Sequence, residues 1–391
     1  MKTILDFDFK DKTVVLRCDF NVTIKDGVIL SDSKIVKSLK SINYILENGG
    51  RLVILSHLGK VKTMEDRNNN SLRLVFERLK ELTSGKIDFC DSLDFDEISG
   101  FVSSLDYGRG VLLENTRFYD VPDRLESDCS SSLSSFYASL GDIFINDAFG
   151  TIHRKHASNY GVSSILPSGI GFLVMKEIKN LSVLDNPKRP FVVIMGGAKL
   201  SSKLGVINSL LSKVDYLLVG GAMSYTFLKA KCYNVGKCLY EEDYVSYCED
   251  LLSKYSDKII LPVDLYGSSS YSNATLKEYC LVSSIPDSFM GLDIGDKTIS
   301  LFCDYLRDAK TIFWNGPVGV YEFSNYINGS KELMSFLGSI PAIKILGGGD
   351  SVSCMDMLSS ASSVTYVSTG GGATLEYIVD KKLPGLVYME D

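Results

Sequence analysis

The chain has 391 residues, 45% of them hydrophobic and 23% charged, which suits a globular protein with a large buried core and two or three domains. A formal net charge of −7 argues against general nucleic-acid binding, which needs a broad basic face, so an anionic ligand must be held by a local cluster of cations. No run approaches the roughly 18 apolar residues of a membrane span, and the nine scattered cysteines include no C-x-x-C pair, which argues against a disulfide framework or a zinc site. The opening "MKTILDFDFKDK" lacks a signal-peptide core, so free thiols in a cytoplasmic protein are expected.

Along the first half, the apolar runs "TVVLRCDFN", "RLVILSHLGK", "GVLLENTRF" and "DIFINDAFGT" alternate with helical patterns. The segment "NYGVSSILPSGIGFLVMKEIKNLSVLDNPKRP" follows, with apolar residues at helical spacing between Pro167 and Pro187. It predicts a linking helix of about five turns, roughly 18 residues. In the second half the runs are "RPFVVIMGGAK", "VDYLLVGGAM", "KTIFWNGPVG", "AIKILGGGDS" and "VTYVSTGGGA". Nearly continuous apolar strands alternating with helices indicate parallel sheets covered on both faces. The fold class is therefore α/β, with two doubly wound sheets. The expected domains are 1–167 and 187–375, joined by a helix over 168–186.

Ligands of open parallel sheets bind beyond the carboxyl ends of the strands. In the first half those ends carry Asp19 and Asn21, then His57 and Lys60, then Arg117, then His153, Arg154 and His156. The three histidines of the chain all fall there. If the strands are neighbours, the cations converge on one basin suited to a small phosphorylated carboxylic acid, because arginine forks match carboxylate and phosphate geometry. His57 and His153 are expected to orient or neutralise the anion.

In the second half, "MGGAKLSSKLGVINSLL", "LGGGDSVSCMDML" and "STGGGATLEYIV" each read strand, glycines, helix. Glycine allows close backbone approach, and a helix N-terminus offers free N–H groups to phosphate. Lys199 and Lys203 are expected one turn apart on one helix face. Asp350 is a candidate ligand for Mg²⁺, a hard cation that travels with phosphates. Neither a Walker loop nor a G-x-G-x-x-G fingerprint is present. Phosphoryl transfer needs alignment and charge neutralisation more than a protein nucleophile, and closure of two half-sites would exclude water.

The segments "RCDFNV", "SHLGK", "LLENTRF", "NDAFGTIHRKHAS", "RPFVVIMGGAKLSSK", "TIFWNGPVGVYEF", "LGGGDS" and "STGGGATLEY" together resemble the phosphoglycerate kinase family, in order and along nearly the whole chain. The resemblance implies two Rossmann-like domains with an interdomain helix, and a C-terminal segment, about residues 376–391, that packs back on the first domain. It implies in-line transfer between 1,3-bisphosphoglycerate and ADP after hinge closure, giving 3-phosphoglycerate and ATP with Mg²⁺, by a monomer. On this resemblance the triose-phosphate site comprises Asp19, Asn21, Lys34, His57, Leu58, Gly59, Lys60, Arg117 and Arg154. The nucleotide site comprises Lys199, Lys203, Gly295, Asn315, Glu322, Gly348, Gly349, Asp350 and Ser351. Lys34, Lys199 and Gly371, the last within the Gly370–Gly372 stretch, are the expected catalytic positions. The chain departs from the family pattern with lysine for arginine at Lys34 and Lys60, Ser202 for aspartate and Ser351 for threonine. Lysine keeps the charge but loses the planar fork. The rival readings are a binding or regulatory protein of the same fold, its chemistry weakened at Lys34, and a different two-domain phosphotransferase or nucleotide enzyme.

Overall fold

A computed structural model describes residues 1–273 and 276–389. The chain divides into two compact units, Met1–Lys179 with the described residues from Asp380 onward, and Asn180–Val379.

Unit 1 is built on six parallel strands, β1 (Thr13–Cys18), β2 (Arg51–Leu55), β3 (Ile87–Cys90), β4 (Gly110–Leu113), β5 (Ile143–Asp147) and β6 (Ser168–Ile170), in the order β3-β4-β2-β1-β5-β6. Every residue of β1 is buried, as a strand covered on both faces requires. Val14 pairs with Leu52 on one side and Ile143 on the other, and Leu16 with Ile54 and Ile145. Helix α1 (Ser33–Glu47) lays Ile35, Ile42 and Ile45 on this core, each such burial stabilising by about 1.5–3 kcal/mol. Strands β2 to β4 lie on one side of β1, and β5 and β6 on the other, so the winding reverses between β1 and β5.

The linking helix is shorter than expected. Residues 168–170 form β6 beside β5, helix α2 runs Phe172–Leu181, and a 3-10 turn, Ser182–Leu184, follows. Asp147 decides the start: its Oδ1 accepts from the Leu173 and Val174 amides at 2.8 and 3.3 Å. Gly171 passes so close to this carboxylate that a Cβ would lie 2.3 Å from Oδ1. The boundary between the units falls inside α2, after Lys179.

Unit 2 has a main parallel sheet of β7 (Phe191–Met195), β8 (Tyr216–Val219), β9 (Ile259–Ile260), β13 (Thr311–Asn315), β14 (Ile343–Gly347) and β15 (Tyr366–Val367), in the order β9-β8-β7-β13-β14-β15. This is the 3-2-1-4-5-6 order of Rossmann sheets, which reverses between β7 and β13. Between β9 and β13 the chain adds an antiparallel sheet of β10 (Asp264–Ser268), β11 (Glu278–Leu281) and β12 (Met290–Ile294) that the sequence patterns did not reveal. Unit 2 also holds helices α3 (Leu204–Leu211), α4 (Asp296–Arg307), α5 (Gly349–Met357) and α6 (Gly372–Val379).

Residues 376–379 belong to α6, so the return to unit 1 begins at Asp380 rather than at 376. There Gly385 N donates to the Ile152 carbonyl at 2.8 Å, and Lys2 N to the Met389 carbonyl at 2.7 Å. Glu390 and Asp391, also in the expected returning segment, lie outside the described residues.

Candidate functional site

In unit 1, β4, β2, β1 and β5 are consecutive parallel neighbours, so the residues that follow them share one sheet edge at the winding reversal. Ser56 joins two of these ends, accepting from Phe20 N at 2.9 Å and donating to the Cys18 carbonyl at 3.0 Å. Asn21 Oδ1 accepts from Gly59 N at 2.9 Å, and Asn21 N donates to Asp19 Oδ1 at 3.1 Å. Lys34, in the first turn of α1, reaches Asp19 Oδ2 at 3.0 Å. Burial pushes the Asp19 carboxyl up, but Lys34, His57 and the hydrogen bonds outweigh it and hold the group below its ordinary value. Asp19, Asn21, Lys34 and Gly59 thus form one bonded set.

Asn115 brings in Leu58 and Arg117. It is fully buried. Its Oδ1 accepts from Leu58 N at 3.2 Å and Arg117 N at 3.0 Å, while Nδ2 donates to the carbonyls of Leu58 at 2.8 Å and Asn70 at 2.7 Å. The Arg117 guanidinium pairs with Asp120 at 3.0 Å and also meets the Ser127 hydroxyl. Lys60 and Arg154 are exposed, and Arg154 Nε donates to His153 Nε2 at 2.9 Å.

Of the two roles expected of His57 and His153, orienting or neutralising the anion, burial favours the first. Burial first, then neighbouring arginine, pushes His57 down to about 3, His153 to about 4 and His156 to about 3. All three are neutral at physiological pH and can orient an anion without charging the site. The positive charge comes from Lys34, Lys60, Arg117, Arg154 and Arg17, a residue the strand-end reasoning passed over. Arg17 is fully buried inside β1, and its signal in sequence is a lone charge within "TVVLRC".

In unit 2, a cleft of about 310 Å³ is lined by Gly197, Ala198, Gly221, Tyr225, Gly291, Leu292, Pro317, Glu322 and Asp350, among others. Asn315 ends β13, and Gly348, Gly349, Ser351 and Gly371 follow β14 and β15, on the same sheet edge as Gly197. Asn315 Nδ2 donates to the Gly347 carbonyl at 2.8 Å, and Ser351 Oγ accepts from Gly316 N at 2.6 Å. Gly348 must be glycine: its φ is +95°, and a Cβ would lie 2.6 Å from Asn315 Nδ2. Apart from chain neighbours and the helix's own backbone, no atom among the described residues stands within 4 Å of where a Cβ would project from Gly349 or Gly371, which leaves the N-terminal turns of α5 and α6 open to a ligand.

The two lysines are not on one helix face. Lys199 is exposed in the loop after β7, and Lys203 closes a 3-10 turn, Ser201–Lys203, before α3 begins. Lys203 is buried, its Nζ donating to the carbonyls of Gly196 at 2.5 Å and Asn315 at 3.0 Å, so it clasps β7 to β13. Burial pushes its ammonium down to about 8, with Asp350 opposing. Gly295 is also displaced from its expected place. It packs on the Asp264 carboxylate at the start of α4, 2.3 Å from where its Cβ would be. The glycine of that segment that lines the cleft is Gly291.

Comparison with known proteins gives the same picture along the whole chain. Residues 4–381 match the family model described as phosphoglycerate kinase. A phosphoglycerate kinase of Enterococcus faecalis is 47% identical over 393 residues, covering 100% of this chain and 99% of its own length. One from Lactobacillus delbrueckii subsp. bulgaricus is 46% identical over 398 residues, covering 99% and 98%. Among solved structures, phosphoglycerate kinase from Coxiella burnetii superposes with a TM-score of 0.88 at 31% identity, covering 99% of this chain and 98% of that one.

Proposed function

The chain belongs to the phosphoglycerate kinase family, and from that premise we propose that the cation cluster of unit 1 holds the triose phosphate and the cleft of unit 2 holds the nucleotide. Its reaction is the reversible transfer of a phosphoryl group from 1,3-bisphosphoglycerate to ADP, giving 3-phosphoglycerate and ATP in glycolysis. The observation that carries the assignment of sites is chemical asymmetry at equivalent places. Each unit presents a sheet edge at its winding reversal, one bearing Lys34, His57 and Arg117, the other glycine turns and open helix starts.

In this reading Lys34, Lys60, Arg117 and Arg154 neutralise the carboxylate and phosphate of the triose, while Asn21, Leu58 and Gly59 fix its orientation. Asn315, Glu322 and the Gly348–Ser351 turn receive the nucleotide, with Gly291 in the role expected of Gly295. Lys203 shapes the turn from beneath. Lys199 and the amides at Gly371 stabilise the phosphoryl group as it passes. No general base is needed, because the attacking carboxylate or phosphate is already ionised at neutral pH. Direct in-line transfer, with hinge closure excluding water, remains part of this reading.

Among the described residues no group of three or more His, Cys, Asp or Glu could hold a metal ion. The exposed carboxylate of Asp350 instead fits a cation that takes most of its ligands from phosphate and water. Mg²⁺ held there with the nucleotide would supply neutralisation of phosphate charge. We read the protein as a cytoplasmic monomer acting on small molecules. Nine free cysteines support a reducing compartment, and the acidic net charge is unsuited to nucleic acid.

Amide NMR titrations test the assignment. 3-Phosphoglycerate alone is expected to shift the signals of Asn21, Leu58, Gly59 and Arg117, and MgADP alone those of Gly197, Gly291, Gly349 and Ser351. Both ligands shifting one and the same set would refute it.

A further inference from the structure

Arg17 and His57 meet where neighbouring strands β1 and β2 end. The Arg17 guanidinium donates through Nε to Ser158 Oγ at 2.9 Å, and through Nη1 to the carbonyls of Cys18 at 2.5 Å and Leu55 at 3.5 Å. Its Nη2 faces His57 Nδ1 at 3.4 Å. Behind it lies Glu126, also fully buried, which accepts from Ser158 N at 3.0 Å and from the Ser158 hydroxyl. A guanidinium offers only N–H donors and does not give up its proton in a protein. His57 Nδ1 must therefore present its lone pair, and the proton of the neutral ring lies on Nε2. A second proton would go to Nδ1 and set N–H against N–H, and cation against cation, in a buried place.

We infer that Arg17, anchored by Glu126 through Ser158, is a positioning residue that locks His57 as a neutral imidazole with its proton on Nε2, so that an anionic ligand meets a hydrogen-bond donor there and no charge. The other charged and titratable groups near His57 agree. Lys34 from α1 and Arg117 from the turn after β4 oppose a second cation, His156 lies in the same neighbourhood, and Asp19 alone favours one. The low value of His57, about 3, accords with the geometry. The lock makes the charge of the site independent of this histidine across the neutral range, leaving its lysines and arginines as the fixed cations.

The test is imidazole ¹⁵N NMR of the full chain between pH 5 and 8. His57 is expected to show the Nε2–H tautomer, with shifts that do not titrate. An Nδ1–H tautomer, or titration in this range, would overturn the inference. The double variant Arg17→Met with Glu126→Gln removes the cation and its counter-charge together. The Nδ1–H tautomer should then appear in the ring spectrum, and titration of His57 should move up but stop short of its ordinary value, because burial, Lys34 and Arg117 remain. KM for 3-phosphoglycerate should rise at least threefold, because the ring no longer holds its N–H toward the ligand. A folded double variant that keeps the pure Nε2–H tautomer would show that Arg17 is not the lock. The spectrum of the unaltered protein decides the tautomer even if the variant does not fold. The spectroscopic result needs no ligand, whereas the KM result rests on the triose-phosphate reading of this site. A changed tautomer with an unchanged KM would therefore overturn the ligand half of the inference alone.

Discussion

Asn115→Ala separates the two sites by a side chain that touches only one of them. Asn115 is fully buried and makes four hydrogen bonds, to Leu58 N, Leu58 O, Asn70 O and Arg117 N. At about 1 kcal/mol net for each bond, the loss comes to about 4 kcal/mol, before any added cost of leaving the Leu58 amide without its partner. For a folding unit of this size each kcal/mol lowers Tm by about 2–4 °C, so the transition of unit 1 should fall by roughly 8–16 °C in a calorimetric scan. Freed from Asn115, the backbone at Leu58 and Arg117 no longer holds one position, and KM for 3-phosphoglycerate should rise about tenfold with KM for ATP unchanged. Asn115→Asp keeps the acceptor oxygen but sets a second oxygen against the Leu58 and Asn70 carbonyls in a buried place, and should destabilise at least as much as Asn115→Ala. A destabilisation below 1 kcal/mol together with an unaltered KM for the triose would refute the reasoning.

Four further outcomes are expected. Lys34→Arg should match or raise kcat, and Lys34→Ala should lower it more than tenfold in steady-state assays. Unchanged turnover in the alanine variant would remove Lys34 from the chemistry. Lys199→Ala should lower kcat far more than it weakens ATP binding measured by calorimetry, as expected of a group that acts on the transferring phosphoryl. Gly291→Ala places a methyl group 2.2 Å from Tyr225 Oη in the cleft wall, so KM for ATP should rise while KM for 3-phosphoglycerate stays put. Asp147 governs a pH effect on stability: burial pushes its carboxyl from 3.8 up to about 6, so the folded state takes up the proton first as pH falls. Its contribution is fully present below about pH 4, is lost as pH rises through 6, and reaches at most about 3 kcal/mol. Asp147→Asn should abolish that slope in urea unfolding compared at pH 4.5 and 7.

Continuous apolar runs made most of both main sheets legible, because a strand buried on both faces has no polar alternation to confuse it, but the short or half-buried strands Ile87–Cys90, Ser168–Ile170 and Ile259–Ile260 left no such run. The adjacency of β4, β2, β1 and β5 put scattered strand-end residues at one sheet edge, a placement that the sequence alone left conditional on those strands being neighbours. The antiparallel sheet was not legible. Its strand Glu278–Leu281 is mostly exposed, and its other two strands break their apolar residues with aspartate and glycine. The 168–186 pattern read as one helix because the strand at 168–170 is set by pairing with Phe144 and Asn146, which local spacing cannot report. The same holds for Gly295 against Gly291, two glycines four residues apart that only the wall of the cleft distinguishes. Lys203 looked like a surface partner of Lys199 until the turn at Gly196–Gly197 folded it inward. Most hidden of all was the set Arg17, Ser158 and Glu126, joined by hydrogen bonds between residues 141 and 32 positions apart in the chain.

This chain moves a phosphoryl group between a nucleotide and the triose carboxylate with lysine at position 34. ATP consumption in the presence of 3-phosphoglycerate and Mg²⁺, coupled to reduction of the acyl phosphate by a dehydrogenase, tests this. Steady turnover is expected that stops when either substrate is withheld and that drops more than tenfold in Lys34→Ala. Saturable binding of both substrates with no turnover would contradict it.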